Sequence, residues 1–343
     1  HATWLISITL LVAFFIASLL IGGSQTKLTD FWDAFYTLQS GGSLTEESQT
    51  AWTILTELRL PRAITAALVG AALAIAGVLA QGIFRENLAS PTVLGTEAGG
   101  SMAAALAFIY GIAHAAPIIL PAAAFVGAVG TTLLTVAIAQ RGNSPGSMNN
   151  STSTMMLSGF AINALLGAGT SYLMTMTLEE PGRSGKAISF LIGGFSAKGF
   201  EHATLAAATL VAGVILALRV ASSLDILSLG EDTAQSLSIN MSSLRRQTVA
   251  VVGLLVAGAV AVAGALPFVG LIVPHIARRL IGPSHRQLVV LAGIQGAILL
   301  LAADLTARCA RAPIELPASI LTSVLGASFF LVLLMHQNQG DRS

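Results

Sequence analysis

The sequence predicts an all-α polytopic membrane protein, one domain over residues 1–343 with about ten transmembrane helices, and three observations predict it. Hydrophobic residues make up 54% of the chain and charged residues 10%, and the mean hydropathy is +0.80, a composition foreign to ordinary soluble domains. Apolar runs recur that match the roughly 20 residues needed to cross a hydrocarbon core of about 30 Å. These runs are continuous rather than alternating. Inside lipid every backbone amide must be bonded internally, which leaves helices or closed barrels, and continuous runs select helices.

Taken in order, span one covers residues 4–21. It has no basic segment before it and no small-residue cleavage pattern directly after it, so it is read as a span with a trimmed cytoplasmic flank, not a signal peptide. A polar loop, 22–60, follows with Asp30, Asp33, Glu46, Glu47 and Glu57. Arg59-Leu-Pro-Arg62 then opens span two, 63–83, where a proline is tolerated because a first-turn N–H has no helical acceptor. Spans three and four are 92–110 and 117–139, and 140–154 is a connector rich in Gly, Pro, Ser and Asn. Span five, 155–178, is the most polar of the middle spans, and Ser158, Asn163, Ser171 and Met174 on it are expected to line a pathway. A charged patch, 179–186, precedes a short helix at 188–196. Span six is 202–220, and the last four spans are 248–266, 268–281, 288–310 and 316–335. Small residues such as Gly70, Ala74, Gly77, Gly95 and Gly99 are expected mainly to let helices approach closely.

Between spans six and seven lies a polar interval, 224–247, with Leu224, Leu227, Ala234, Leu237 and Leu244 set against Gly230, Glu231, Asp232 and Gln235. That pattern suits a short amphipathic helix at a membrane surface, a place where a soluble partner pushes on a channel. An ordinary solvated loop is the alternative.

Lys and Arg placement puts the N- and C-termini on the cytoplasmic side. Arg85, Arg141, Arg219, Arg245, Arg246, Arg278, Arg279 and Arg286 then face the cytoplasm. Arg59, Arg62, Arg183, Lys186, Arg308 and Arg311 remain outside, and an acidic partner docking there would account for them. The formal net charge of +1 offers no basic stripe for nucleic acid. Within the spans the charged candidates are Glu97, Asp304 and Arg308, with His275 beside them; Asp304 and Arg308 are one helical turn apart and can pair. Glu97 lies near a cytoplasmic end, which weakens the reading as an ion-coupled secondary transporter, whose carboxylates sit near mid-membrane. A non-transporting scaffold is the remaining rival.

No HExxH, GxSxG or CxxC occurs, and Gly182-Arg-Ser-Gly185-Lys186-Ala187 lacks the spacing and final Ser or Thr of a phosphate-binding loop. The chain is therefore expected not to be an enzyme, to bind no cofactor, and to leave any ATP and Mg to partner subunits. A lone Cys309 excludes an intrachain disulfide, and His275, with no second His or Cys nearby, is read as structural rather than metal-ligating.

Several stretches together resemble the FecCD family, permeases of ABC importers for iron–siderophore complexes, haem and vitamin B12. They are Arg59-Leu-Pro-Arg62, Gly70 to Gly77 with Gln81, Leu88-Ala-Ser-Pro91 with Leu94-Gly95, and Phe268-Val-Gly-Leu-Ile-Val-Pro-His-Ile-Ala-Arg278. His285-Arg286, Asp304 with Arg308, and Glu315-Leu-Pro317 before Gly326 and Phe329-Phe330 complete the set. The resemblance implies the type II importer permease fold and a dimer, with an identical or related subunit, enclosing a pathway at its axis. It implies two cytoplasmic ATPase subunits gripping a coupling helix at 230–239, with Gly230, Glu231, Ala234 and Leu237 at the contact. It also implies a periplasmic binding protein whose acidic residues dock on Arg59, Arg62 and Arg308, so that charge reversal at Arg59 plus Arg62 should weaken docking without unfolding the subunit. The expected setting is the bacterial inner membrane, with 22–60 a periplasmic loop, and the expected cargo a ferric siderophore, with haem or vitamin B12 as the alternative. Glu86-Asn87, Ser284 and Ala318-Ser319 depart from the family's usual Asn-Pro, Asp and Val-Gly, and the 140–154 loop is longer than usual.

Overall fold

The structure is a computed structural model that describes residues 2–22, 32, 36–37, 39, 45–112, 116, 118–141, 150–177, 184–311 and 314–340. Its helices are α1 (Ala2–Leu20), α2 (Glu46–Thr53), α3 (Leu60–Phe84), α4 (Thr96–Ile109), α5 (Ile119–Arg141), α6 (Asn150–Thr177) and α7 (Ser184–Ile192). They continue with α8 (Phe200–Leu227), α9 (Glu231–Ser236), α10 (Met241–Ala263), α11 (Val269–Ile281), α12 (His285–Cys309) and α13 (Ala318–Gly340). Each of the ten predicted spans coincides with a helix: α1, α3, α4, α5, α6, α8, α10, α11, α12 and α13. Among the described residues, six helical stretches are long and apolar enough to cross a membrane by length and composition alone: Ala2–Leu20, Glu46–Phe84, Ile119–Arg141, Phe200–Leu227, Met241–Ala263 and His285–Cys309.

Two predicted loops are partly helical. The second half of 22–60 forms α2 and then a π-helical stretch, Ile54–Arg59, that runs straight into α3. Thr45 starts it, its hydroxyl accepting from Ser48 N at 3.3 Å, with Glu46 and Glu47 in the first turn where the helix dipole favours acids. The interval 224–247 is shorter than its polarity suggests, because α8 extends to Leu227 and α10 begins at Met241. Asn240 begins α10, its side-chain oxygen accepting from Ser243 N at 3.0 Å. Residues 142–149 and 178–183, the centres of the two other polar stretches, lie outside the described residues.

The bundle is built around α3. Its membrane-length window is 78% buried, against 11% for α1 at the periphery. It packs on α12, α10, α8 and α11, and two glycine contacts set how close it comes. A Cβ on Gly70 would lie 2.2 Å from the Gly296 carbonyl oxygen on α12, and one on Gly77 would lie 1.9 Å from the Gly270 oxygen on α11. Backbone meets backbone at both places, the packing by which helices associate where lipid supplies no hydrophobic drive. A second layer, α4 on α5 and α6, joins the first through α10. Gly264 ends α10 at φ 70, and a side chain there would run into the Phe190 carbonyl oxygen.

Candidate functional site

Two clusters of polar residues lie at opposite ends of the bundle. They are linked by α8, whose 28 residues span about 42 Å at 1.5 Å per residue.

At one end Arg62 enters the bundle in the first turn of α3 and meets Asp304 in the last turns of α12. Its Nε donates to Oδ1 and Oδ2 of Asp304 at 3.1 and 3.0 Å, its Nη2 donates to Oδ1 at 2.8 Å, and its Nη1 donates to Oε2 of Glu315 at 2.8 Å. Arg308 completes the group, its Nε lying 3.3 Å from Asp304 Oδ2. The simple Asp304–Arg308 pair expected from spacing is thus one edge of a larger network. Its centre, Asp304, is 1% exposed, and a carboxylate so placed is held only because two guanidinium groups surround it.

The remaining donors of this end cap α1. Arg308 Nη2 donates to the carbonyl oxygen and hydroxyl of Ser18 at 3.0 and 2.7 Å, and Arg59 Nη1 donates to the carbonyl oxygens of Leu19 and Leu20 at 2.8 and 2.9 Å. The last carbonyls of a helix have no partner within it, and cations at that end also satisfy the dipole. The three arginines expected to form a docking patch do converge on one end, around a cavity of about 310 Å³ that they line with Lys198 and Glu315. None of them stands open, however: Arg59, Arg62 and Arg308 are 5%, 8% and 4% exposed. The expectation that reversing Arg59 and Arg62 together leaves the subunit folded is therefore corrected, since a carboxylate at 62 would be set against the buried Asp304.

Glu315 and Lys198 occupy the segments between helices at this end. Burial alone would push the Glu315 carboxyl up, but the Arg62 hydrogen bond and charge, with the Ser196 hydroxyl at 2.9 Å, hold it below the usual carboxylate range. Burial pushes the Lys198 ammonium down to about 8, against a smaller opposing pull from Glu201, and its Nζ lies 5.6 Å from the centre of the Phe190 ring. A second cavity, about 640 Å³, opens beside the first and shares Ala197, Lys198 and Glu315 with it.

At the other end Gly230, at φ 123, turns the chain out of α8 and into α9. Glu231 accepts from Arg245 Nη2 at 2.7 Å, which ties α9 to α10. Ala234 is fully buried and seats α9 on the bundle, whereas Leu237 is 59% exposed. Of the residues predicted to meet a soluble partner, Leu237 is presented outward and Ala234 is turned inward. Asp225 at the end of α8 accepts from the backbone N and Nδ1 of His285, both at 2.7 Å. Asp225 thereby supplies a carboxylate at the N-terminus of α12, where Ser284 makes no side-chain cap. Asn87, just after α3, accepts a hydrogen bond from Arg278.

The candidate pathway residues on α6 do not gather in one place. Asn163 Nδ2 donates to the Thr92 carbonyl oxygen at 3.0 Å and fastens α6 to the turn before α4. Ser158 and Ser171 donate to their own helix, to Met155 O and Gly167 O at 2.9 and 3.0 Å, and Met174 packs on the cluster around Ala104, Phe108 and Phe190. His275 meets Phe329 edge-on at 5.7 Å between ring centres. Sequence reasoning missed the Glu315–Ser196 link, the Asp225–His285 pair and the capping of α1. The one available signal was Glu315 itself, an acid among the outer arginines.

The family model of the FecCD transport family matches residues 10–336. A Bacillus subtilis protein described as an uncharacterized ABC transporter permease, YvrB, is 33% identical over 345 residues, covering 100% of this chain and 96% of its own length. The Bacillus subtilis Fe(3+)-citrate import system permease YfmE is 38% identical, covering 82% and 81%, and the Halobacterium salinarum cobalamin import system permease BtuC is 36% identical, covering 83% and 74%. Among solved structures, an inward-facing conformation of a transporter described as of metal-chelate type has a TM-score of 0.79 at 29% identity, covering 96% of this chain and 97% of its own. PsaBC from Streptococcus pneumoniae, 17% identical over 83% of this chain and 94% of its own with a TM-score of 0.57, shares the fold alone. With its ten predicted spans found as helices in the type II importer arrangement, the chain belongs to the FecCD transport family and is a permease of an ABC importer.

Proposed function

We infer that this permease carries a ferric siderophore inward across the bacterial inner membrane as one half of a dimer with an identical or related subunit. Its N- and C-termini face the cytoplasm, the Glu315 end faces the periplasm and the α9 end faces two ATPase subunits that bind ATP and Mg. The observation that carries the cargo is the recurrence of iron chelates among the relatives, Fe(3+)-citrate for YfmE above all. A cobalamin permease at 36% identity keeps vitamin B12 as the second reading.

The geometry supports this division of labour. At the α9 end, a short helix is fixed to the bundle by Ala234 and by Glu231–Arg245 and presents Leu237. A push on such a helix moves α8 and α10 together, and through Asp225–His285 it reaches α12. At the Glu315 end, an acidic binding protein meets a cavity ringed by Arg59, Arg62, Arg308 and Lys198. Alternation between outward- and inward-open states is then a rigid-body change biased by ATP at one end and the loaded partner at the other.

The test is ATPase activity of the purified complex in lipid, with and without a binding protein loaded with ferric siderophore, ferric citrate, haem or vitamin B12. Stimulation is expected with the ferric siderophore, and Leu237→Asp should remove that stimulation while leaving basal hydrolysis. Stimulation by vitamin B12 alone would replace the cargo. No stimulation by any loaded partner would remove all of these cargoes and the proposed docking at the Glu315 end.

A further inference from the structure

Arg62 divides its guanidinium between two carboxylates of very different accessibility. Nε and Nη2 hold Asp304, whose side chain is 1% exposed, while Nη1 alone reaches Glu315, whose side chain remains 40% exposed. The same Oε2 of Glu315 accepts from Ser196 Oγ at 2.9 Å. One oxygen therefore ties together the first turn of α3, the segment joining α7 to α8 and the segment joining α12 to α13. The last two segments form part of the rim of the larger cavity, through Ser196, Ala197, Glu315 and Pro317. Ala197 beside the tether is held at φ 55, a left-handed backbone that a residue with a Cβ adopts only when its surroundings impose it.

Charge around the smaller cavity is one-sided. Arg59, Arg62, Arg308 and Lys198 line it, and Glu315 is the one acid among its described lining residues. If Glu315 swings away, Arg62 Nη1 becomes a buried donor without an acceptor, a costly state that a carboxylate from outside would relieve best. Asp304 is too deep to be displaced, so the exchange leaves the buried half of the network intact.

We propose that Glu315 is an internal stand-in for a carboxylate of the protein that docks at this end, and that exchanging the two on Arg62 frees the Ser196 tether and loosens the cavity rim. This rests on the reading that an acidic binding protein docks here. Docking and opening become one event: the incoming acid takes the place of the residue that holds the rim shut.

The test uses the permease–ATPase complex in lipid vesicles, with its substrate-binding protein titrated as the probe. Glu315→Gln keeps a hydrogen-bond acceptor but gives up the competing charge, and it is expected to lower the dissociation constant of the binding protein several-fold. Ser196→Ala, which cuts only the tether, should do the same to a smaller extent. Rim opening is read by maleimide labelling of Gly194→Cys in a Cys309→Ser background, since a Cβ at Gly194 has its nearest neighbour 3.5 Å away. Labelling should accelerate on docking in the chain with Glu315, and should already be fast without partner in Glu315→Gln. Binding that is unchanged or weakened by Glu315→Gln, with labelling indifferent to docking, overturns the exchange while leaving the docking site in place. Absence of saturable binding to the unmutated complex removes the docking reading itself, and the exchange with it.

Discussion

Lys198 sits where the two cavities of the Glu315 end meet. Its ammonium, pushed down to about 8 by burial and drawn up less strongly by Glu201, lies 5.6 Å from the centre of the Phe190 ring. A lysine whose folded pKa is depressed is charged at a cost below that value, so its contribution to stability rises with pH from about 8 up to the unfolded value of about 10.4. Acylation of Lys198, followed by mass spectrometry of its peptide, should accordingly show a midpoint near 8. A midpoint at the ordinary lysine value would mean that the side chain leaves this site in solution. Glu315 also shifts down, but for a carboxyl that shift favours the charged form. Its link to Arg62 is present at neutral pH and lost only as the pH falls through its lowered pKa. Residue type and chain position made Arg59, Arg62 and Arg308 legible in the sequence as cations at one end. Their engagement was not legible, because Arg62 meets Glu315 across 253 residues and no local pattern encodes such a pairing.

At the scale of elements, the closeness of α3 to its neighbours is the property most open to test. The position of Gly77 against the Gly270 carbonyl leaves no room for a methyl group, so Gly77→Ala must push α3 and α11 apart. Overpacking of this kind costs about 1–3 kcal/mol, and the expected readout is a clear drop in the melting temperature of the purified protein. Gly130→Ala on α5, where a Cβ meets nothing within 4 Å, is the matched control and should leave melting unchanged. Equal effects of the two would mean that intrinsic helix propensity, not packing, dominates. Spans such as α3 and α10 were legible because long apolar runs admit little else in lipid. Helix α9 was legible because polarity returns abruptly after α8, although its six residues are shorter than the interval suggested. The helical half of 22–60 was hidden by its acids and threonines, which in the structure supply the start of α2.

Seen whole, the subunit is buried unevenly. The centre around α3 is filled, while α6 presents Leu157, Leu165 and Tyr172 at 72%, 72% and 61% exposure, and α13 presents Val324, Leu331 and Met335 at 57%, 61% and 67%. Apolar faces of this extent suit lipid or a second copy. If α6 faces its counterpart across the two-fold axis, Ser171→Cys in a Cys309→Ser background should give a disulfide-linked dimer under mild oxidation, whereas the same change at Val211 on α8 should not. A dimer band from the Val211 position alone would place the axis elsewhere.

The capping of α1 has a consequence for how the molecule is made. Arg59 caps Leu19 and Leu20 after about 40 residues, but Arg308 reaches Ser18 across 290 residues, so the Ser18 carbonyl and hydroxyl wait for α12. At ribosomal speeds of about 5–20 residues per second that interval is roughly 15–60 s, during which water and lipid headgroups must stand in for Arg308. The end of α1 is thus fastened in two stages, early by Arg59 and late by Arg308 once α12 has been inserted.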